Sequence, residues 1–189
     1  MSYKISKLTQ ENAEKIAAWP FSKDYQWTVL GKGSENEYYL LRENYRKDYY
    51  FQIEDDNKFL GYFAVNNRVR KEAAALQIVI DPEADEKQEK DFVNAVADFV
   101  KENYPDVISI NVMAYSYQTK AIKVFEELGF ENHGVLSSFG HDMSSYEEDG
   151  FNVNEKGEPI QEISLIVLDK RIRKAWKQAF SLHKKRQSH

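Results

Sequence analysis

Cysteine is absent from this chain of 189 residues. Its absence excludes disulfide bonds, thiolate metal sites and a cysteine nucleophile. We expect no metal, because the histidines, His133, His141, His183 and His189, lack ligand spacing. No apolar run approaches the roughly 18 residues that indicate a membrane span, and the N-terminus lacks the apolar core of a signal peptide. We therefore expect a cytoplasmic location and no membrane partner.

An excess of positive charge is also absent, because 31 acidic residues outnumber 26 lysines and arginines and the net charge is -5. A general nucleic-acid binder concentrates Lys and Arg against phosphates, so nucleic acid is not an expected partner. Eight of the basic residues crowd a C-terminal segment at about 169–187, where Ile172, Trp176 and Phe180 share one helical face. We expect this helical extension to dock on the domain or on a second copy in a homodimer. Contact with RNA, an acidic protein or anionic lipid is the alternative.

Hydrophobic residues make up 42% of the chain, which is enough to cover a mixed sheet with helices. We therefore predict one domain over residues 1–189. Aromatic residues reach 14%, and twelve of them are tyrosines. They are expected to pack on sheet faces with their hydroxyls bonded to a partner or to water, and an aromatic-lined cleft is the alternative.

The hydrophobic pattern alternates between strand and helix periods along the chain. It predicts strands over residues 3–8, 49–53, 60–65, 73–80, 108–114, 130–136 and 162–168. It predicts helices from the N-cap Thr9 to Pro20, and over 38–46, 86–103 and 118–128. The second and third strands should form a hairpin through Asp55-Asp56-Asn57. Residues 20–37 read as irregular, and a long polar excursion separates the last two strands.

Three stretches carry a resemblance to a known family: Leu60-Gly61-Tyr62-Phe63-Ala64-Val65, Leu76-Gln77-Ile78-Val79-Ile80-Asp81-Pro82, and Ala121-Ile122-Lys123-Val124-Phe125-Glu126-Glu127-Leu128-Gly129-Phe130. In this order they resemble the GNAT superfamily of acyl-CoA-dependent N-acetyltransferases. The resemblance implies an α/β fold with a mixed, mostly antiparallel central sheet flanked by helices. It also implies that the fourth and fifth strands splay apart.

Acetyl-CoA is the acyl-donor substrate that this resemblance implies, with its pantetheine arm in the gap between the splayed strands. The backbone of Ile78, Val79 and Ile80 would hold the arm. The pyrophosphate would lie at the start of the next helix, where unpaired N–H groups and the helix dipole favour an anion. The cofactor-binding residues there would be Lys87, Gln88, Glu89 and Lys90.

The phosphate-binding turn departs from the pattern of the family, which is Gln or Arg, two residues, Gly, one residue, then Gly or Ala. The corresponding residues here are Ala84, Lys87 and Glu89. A carboxylate about 6 Å from a phosphate charge would cost about 3 kcal/mol at a dielectric constant near 20. Alternatively, the acidic residues complement the helix dipole and point into water. Lys87 and Lys90 would then meet the phosphates as point charges.

The sequence does not identify the catalytic residues. Phe125 stands where many family members have a tyrosine that protonates the leaving thiolate, and Gln118 stands where they often have an asparagine that contacts the cofactor. The candidates for moving protons are the carboxylates Asp81 and Glu83, through water, and the hydroxyls of Tyr115 and Tyr117. Ordinary surface and packing roles are the alternatives for all four.

For the amine acceptor, the resemblance points to the segment over the mouth of the cleft, with Tyr25, Trp27 and Tyr38 as walls. The reaction it implies is transfer of an acetyl group from acetyl-CoA to a small-molecule or peptide amine. The alternative is a GNAT-like binding or assembly module that has lost catalysis.

Overall fold

The computed structural model describes residues 3–22, 24–28, 33, 35–46, 49–66, 73–135 and 162–168. Its strands are β1 (Tyr3–Lys7), β2 (Tyr50–Asp55), β3 (Lys58–Asn66), β4 (Ala73–Ile80), β5 (Ser109–Tyr115), β6 (Glu131–Val135) and β7 (Glu162–Leu168). Its helices are α1 (Gln10–Ala17), α2 (Glu35–Leu40), α3 (Glu43–Arg46), α4 (Glu86–Asn103) and α5 (Thr119–Glu127). The predicted basic extension at 169–187 and the polar excursion lie outside the described residues.

The strands form one seven-stranded sheet in the order β1-β2-β3-β4-β5-β7-β6. The β4–β5 pair is parallel, and the other neighbouring pairs are antiparallel. The predicted mixed, mostly antiparallel sheet is therefore confirmed. β7 lies between β5 and β6 although it is the last strand in the chain, so β5 pairs with a different strand on each side.

Helices pack on both faces of the sheet. On one face, the rings of Phe51 and Phe63 contact Phe99 of α4, with ring centroids 4.7 and 5.4 Å apart. On the other face, Gln52 of β2 accepts a hydrogen bond at 3.0 Å from the Asn12 side chain of α1. The hydrophobic core lies between these helices and the sheet, as in other layered α/β domains.

Local capping and turn chemistry explain where several elements begin. The Thr9 hydroxyl accepts a hydrogen bond from Asn12 N, as predicted for an N-cap. Asp56 and Asn57 join β2 to β3 with φ angles of 46° and 66°. Both angles are positive, as a two-residue hairpin turn requires, and Asp and Asn tolerate them better than most residues. The predicted hairpin is therefore confirmed.

The single helix predicted over residues 38–46 is wrong, because the segment forms two short helices, α2 and α3. The Arg46 guanidinium explains the break. It is buried, and it donates hydrogen bonds to Leu40 O at the end of α2 and to Gln10 Oε1 of α1 at 2.6 Å. These bonds satisfy a carbonyl at the end of α2 and fix the turn between the two helices.

Gly61 sets a close approach between β3 and β4. A Cβ added to it would lie 2.2 Å from Val79 O and 3.0 Å from Ile80 Cα, and the φ of Gly61 is +148°. Only glycine permits this backbone approach. The Val79 carbonyl therefore faces β3, and the backbone groups of its neighbours on β4 face the opposite edge, toward β5.

Candidate active site

β4 and β5 are paired over only part of their length. Their register runs from Ala73 opposite Ser109 to Leu76 opposite Val112, and β4 then continues to Ile80 without further pairing to β5. β5 pairs along its whole length with β7 on its other side. The predicted splay between the fourth and fifth strands is therefore confirmed, and the backbone groups of Ile78 and Ile80 face the resulting opening.

Residues Tyr25–Thr28, here called the inserted segment, occupy that opening. Thr28 N donates to Ile78 O at 2.9 Å, and Ile78 N donates to Thr28 Oγ1 at 3.1 Å. The Tyr25 hydroxyl accepts from Ile80 N at 2.8 Å and donates to Ile80 O at 2.5 Å. Backbone groups that the resemblance assigns to the pantetheine arm are thus bonded to the chain itself.

The start of α5 holds the inserted segment from the opposite side. The buried Gln118 amide donates to Trp27 O at 2.6 Å and to Tyr25 O at 3.3 Å. Its oxygen accepts from Tyr115 N at 2.8 Å, which fixes the orientation of the amide. Lys120 N donates to Gln26 Oε1 at 3.0 Å. The segment therefore bridges β4 and α5 across the opening.

Trp27 of the inserted segment is bonded to Glu89 of α4. The indole Nε1 donates to Glu89 Oε1 at 3.1 Å, and the ring packs edge-on against Phe125 at 5.6 Å. Lys120 Nζ lies 2.8 Å from Glu89 Oε2, close enough for an ion pair although the angles are not those of a hydrogen bond. The carboxylate is buried, so these two partners offset its desolvation.

The turn before α4 is largely satisfied by its own side chains. Asp85 and Gln88 form a capping box, in which each side chain accepts a hydrogen bond from the backbone N of the other. The Asp81 carboxylate accepts from Glu83 N at 2.9 Å and lies 4.0 Å from Lys58. Asp81 and the exposed Glu83 are thus structural members of this turn.

The lysines expected near the phosphates bond to carboxylates on helix surfaces. Lys87 bonds to Asp91 at 2.5 Å, which raises the pKa of Lys87 and lowers the pKa of Asp91. Lys90 pairs with Glu127 at 2.7 Å and with Glu86 at 3.1 Å. Because these pairs lie at the protein surface, either lysine could leave its carboxylate for another anion at little cost in free energy.

A small groove, open to solvent, remains beside the inserted segment. Its walls come from the inserted segment, β4, β5 and α5, and most of the lining residues are apolar, although the surface they expose in the groove is mainly polar. The lining residues are Gln26, Trp27, Thr28, Leu76, Ile78, Val112, Met113, Ala114, Gln118, Ala121 and Phe125. The groove lies where the pantetheine and thioester end of a donor is expected.

The predicted proton donors lie at the end of β5. Phe125 has no hydroxyl and packs against the rings of Trp27 and Phe130. Tyr115 and Tyr117 stack in parallel, with centroids 5.8 Å apart. Burial, with a smaller contribution from Tyr115, raises the pKa of Tyr117. Its hydroxyl therefore keeps its proton at neutral pH.

The three residues predicted as acceptor walls separate in space. Tyr25 and Trp27 are buried in the cleft. Tyr38 is exposed on α2, where its ring contacts Tyr39 and Tyr45 and lies under the Arg42 guanidinium at 3.9 Å. Tyr25 and Trp27 therefore lie with Gln118 and Phe125 at one site. Tyr38 belongs to a separate cluster with Tyr39 and Tyr45.

Thr28, Gln26 and Lys120 are cleft residues that sequence reasoning missed. A signal for the first two was present, because Tyr25-Gln26-Trp27-Thr28 alternates as a strand does, with aromatic and β-branched residues. Such a pattern inside an irregular stretch indicates a segment that pairs with a sheet edge. Lys120 carries no comparable signal in the sequence, because its pairing with Glu89 depends on the burial of that carboxylate in the folded chain.

Within the described ranges, no group of three or more acidic or histidine side chains is placed to hold a metal ion. The helices of the same ranges are too short or too polar to cross a membrane.

Comparison with known proteins agrees with this architecture. Residues 5–149 match the family model described as an acetyltransferase (GNAT) domain. No curated protein matches the chain in sequence. Among solved structures, the acetyltransferase (GNAT family) from Bacillus anthracis superposes with a TM-score of 0.63 at 11% identity, covering 89% of this chain and 95% of that chain.

Two further solved structures share the fold. Mutant forms of the spermidine/spermine N-acetyltransferase SpeG from Vibrio cholerae give a TM-score of 0.59 at 18% identity, over 88% of this chain and 95% of that chain. The N-acetyltransferase PseH from Campylobacter jejuni gives 0.57 at 12% identity, over 89% and 99%. At these identities the likeness is one of fold, whereas the family match spans most of the sequence. The chain therefore belongs to the GNAT acetyltransferase family.

Proposed function

We propose that the chain is an N-acetyltransferase that moves an acetyl group from acetyl-CoA to the amine of a small molecule or peptide. The observation that carries this proposal is the opening beyond Leu76 and Val112, where β4 leaves β5. Family membership supports acetyl-CoA as the donor. An amine acceptor is consistent with similarly folded enzymes, such as the spermidine/spermine N-acetyltransferase of Vibrio cholerae.

The reaction needs little covalent help from the protein. The neutral amine nitrogen attacks the thioester carbonyl carbon, the new N–C bond forms, and the C–S bond breaks with its electron pair on sulfur. The nitrogen loses a proton, and the thiolate gains one from solvent. Holding both reactants in line replaces about 7 kcal/mol or more of the barrier. A free Ile78 N–H would polarise the thioester carbonyl.

Two further groups fit supporting roles in this reaction. The Tyr117 hydroxyl, whose pKa is raised by burial, suits a hydrogen bond to the departing sulfur better than outright proton transfer. Asp81 lies in the turn after β4, within reach of water. It suits a relay that removes the amine proton through solvent. Neither role requires the tyrosine that Phe125 replaces.

The nucleotide end of the donor would lie at the start of α4, where the chain carries a carboxylate in place of a small residue. Glu89 stands at a position where the family has a small residue, and its buried carboxylate accepts a hydrogen bond from Trp27. The capping box at Asp85 already uses part of the turn. A buried carboxylate near a phosphate opposes binding. We therefore expect micromolar to submillimolar affinity for acetyl-CoA.

A second candidate is a binding or assembly module with the same fold and no transfer activity. Two observations favour it. Phe125 supplies no hydroxyl, and the inserted segment bonds to Ile78 and Ile80 where a donor would lie. In this case the cleft would be a permanent part of the core.

Calorimetric titration with acetyl-CoA and with desulfo-CoA separates the two candidates. An enzyme should bind both with a dissociation constant below about 1 mM. It should also release free thiol from acetyl-CoA when a polyamine, an amino sugar or a peptide with a free N-terminus is added. Absence of heat and of thiol release with every amine would leave the module as the better description.

Glu89→Gln tests the electrostatic argument, because it removes the charge and keeps an acceptor for Trp27. Acetyl-CoA should bind about tenfold tighter to the variant. Acetyl-pantetheine, which lacks the phosphates, is the matched ligand and should bind both proteins equally. If acetyl-CoA gains no affinity, the carboxylate does not oppose the pyrophosphate. An equal gain for both ligands would point to loosening of the inserted segment instead.

A further inference from the structure

We infer that the inserted segment (Tyr25–Thr28) is an intramolecular competitor of the acyl donor, an autoinhibitory contact that holds the cleft closed until it is displaced. This inference rests on the proposed function. Its physical basis is the opening between β4 and β5, which the chain fills with its own polar groups at the positions where a donor would bond.

The competition follows from the number of hydrogen bonds that a strand edge can make. A pantetheine arm carries amide groups and lies along β4 as an added strand would. The N–H and C=O groups of Ile78 and Ile80 are all bonded to Thr28 or Tyr25. One N–H serves one acceptor well. The arm and the inserted segment therefore exclude each other at the same backbone groups.

The contact is built mainly from side chains, which makes it releasable. The Tyr25 hydroxyl makes both bonds to Ile80. The Thr28 hydroxyl makes one bond to Ile78, and the backbone supplies only the bond from Thr28 N. A paired strand fixes every residue of a ladder, whereas rotation of two side chains removes most of this contact. Displacing the segment exposes the buried Tyr25 and Trp27 rings, but it leaves the β3–β4 ladder paired.

Groups on α4 and α5 form the second half of the contact. Gln118 donates to two carbonyls of the inserted segment, and Glu89 accepts from the Trp27 indole. Gln118 lines the groove beside the segment, and Glu89 is bonded to Trp27, which lines the groove too. A donor that pushes the segment aside would free the Gln118 amide for its own carbonyls. The same groups thus hold the closed state and would contact the donor in the open state.

The double variant Tyr25→Phe/Thr28→Val tests the competition, because both substitutions remove a hydroxyl and nearly keep the shape. Three hydrogen bonds from the segment to β4 are lost, and each contributes about two- to fivefold to the closed state. We expect acetyl-CoA to bind the variant about 10- to 100-fold tighter by calorimetry. The backbone amides of Ile78 and Ile80 should exchange with solvent faster. Tyr45→Phe removes an exposed hydroxyl outside the cleft and should bind acetyl-CoA as the unaltered chain does.

Each result has a defined consequence. Equal acetyl-CoA affinity in the double variant and the unaltered chain would overturn the autoinhibitory contact and leave the proposed function standing. If neither protein binds acetyl-CoA while the Ile78 and Ile80 amides exchange faster in the variant, the proposed function fails, and the contact fails with it. Unchanged exchange would show that these hydroxyls do not hold the segment. If the double variant does not fold, Tyr25→Phe alone should bind about tenfold tighter.

Discussion

The two halves of β4 are held at their β5 edge in different ways. From Ala73 to Leu76 the strand pairs with β5, which itself pairs with β7. At Ile78 and Ile80 the same edge is held by the Tyr25 and Thr28 side chains and by one backbone bond. We call these the strand-paired half and the segment-paired half.

The difference concerns how much must move before the edge is free. Opening the strand-paired half means separating two strands of a seven-stranded sheet, which breaks a cooperative unit. Opening the segment-paired half means displacing four residues that bond largely through side chains. One strand can thus combine a fixed half, which sets the width of the cleft, with an exchangeable half, which can accept a ligand.

Gly61→Ala should cause the largest loss of stability, because Gly61 of β3 pairs with the segment-paired half of β4. The new Cβ would lie 2.2 Å from Val79 O and 3.0 Å from Ile80 Cα. Backbone must move to relieve such a clash, so we expect a loss of about 3 kcal/mol or more in the free energy of unfolding. Urea denaturation followed by circular dichroism measures it.

Gly129→Ala is the matched control, since Gly129 has a φ of +93° and nothing lies within 4 Å of its added Cβ. It should cost about 1 kcal/mol from backbone strain alone. Equal losses at the two glycines would show that the spacing between β3 and β4 is not what Gly61 preserves.

Amide hydrogen exchange compares the halves in the unaltered chain. Leu76 lies in the strand-paired half, and its amide should exchange only when β4 and β5 separate. The amides of Ile78 and Ile80 need only the inserted segment to leave. They should exchange at least about 100-fold faster than Leu76, with little dependence on denaturant. Similar rates at Leu76 and Ile80 would mean that β4 behaves as one unit.

Much of the fold could be predicted from the sequence because local signals agreed with tertiary packing. β4 was predicted with its observed ends, and the helix predicted over 86–103 is α4 as observed. Its acidic turn and the apolar stripe from Phe92 to Val100 gave clear boundaries. The single helix predicted over residues 38–46 is wrong, because the break between α2 and α3 depends on the burial of Arg46. No local sequence pattern indicates that burial.

The cleft was less predictable, because its residues meet only in space. The opening beside Ile78 and Ile80 was expected because the resemblance to the GNAT superfamily implies it, and the partial pairing of β4 with β5 confirms it. The occupants of the opening lie about fifty positions earlier in the chain, at Tyr25 and Thr28. The alternation of Tyr25-Gln26-Trp27-Thr28 indicates a strand-like segment, but it does not tell which strand the segment meets, because hydroxyl groups take the place of backbone groups in the pairing.

Lys120→Met tests how much the groups opposite β4 contribute to holding the inserted segment. Lys120 pairs with Glu89, which is bonded to Trp27 of the segment. The substitution leaves the buried Glu89 carboxylate with Trp27 Nε1 as its described partner. Because the Lys120 side chain is 44% exposed, water replaces part of the lost interaction. We expect a loss of about 1 to 2 kcal/mol in the free energy of unfolding, measured by urea denaturation.

Lys123→Met serves as its control on the same helix, because the Lys123–Glu127 pair is exposed on both sides at 3.8 Å. It should change stability by less than about 0.5 kcal/mol. If the two variants lose the same free energy of unfolding, the loss at Lys120 comes from changing a lysine on the surface of α5. The Lys120–Glu89 pair would then not stabilise the inserted segment.

Alkaline pH should weaken the segment-paired half through Tyr25. Burial raises the pKa of Tyr25 above its ordinary value near 10. A group whose folded pKa is raised contributes stability in full below the unfolded pKa and loses it as pH rises through the folded pKa. Tyr25→Phe removes this titration. The stability advantage of the unaltered chain over Tyr25→Phe should therefore shrink by about 0.8 kcal/mol between about pH 9 and about pH 10.5, measured by urea denaturation across that range. A constant difference would mean that the Tyr25 hydroxyl reaches water in the folded chain, and that the inserted segment is already open.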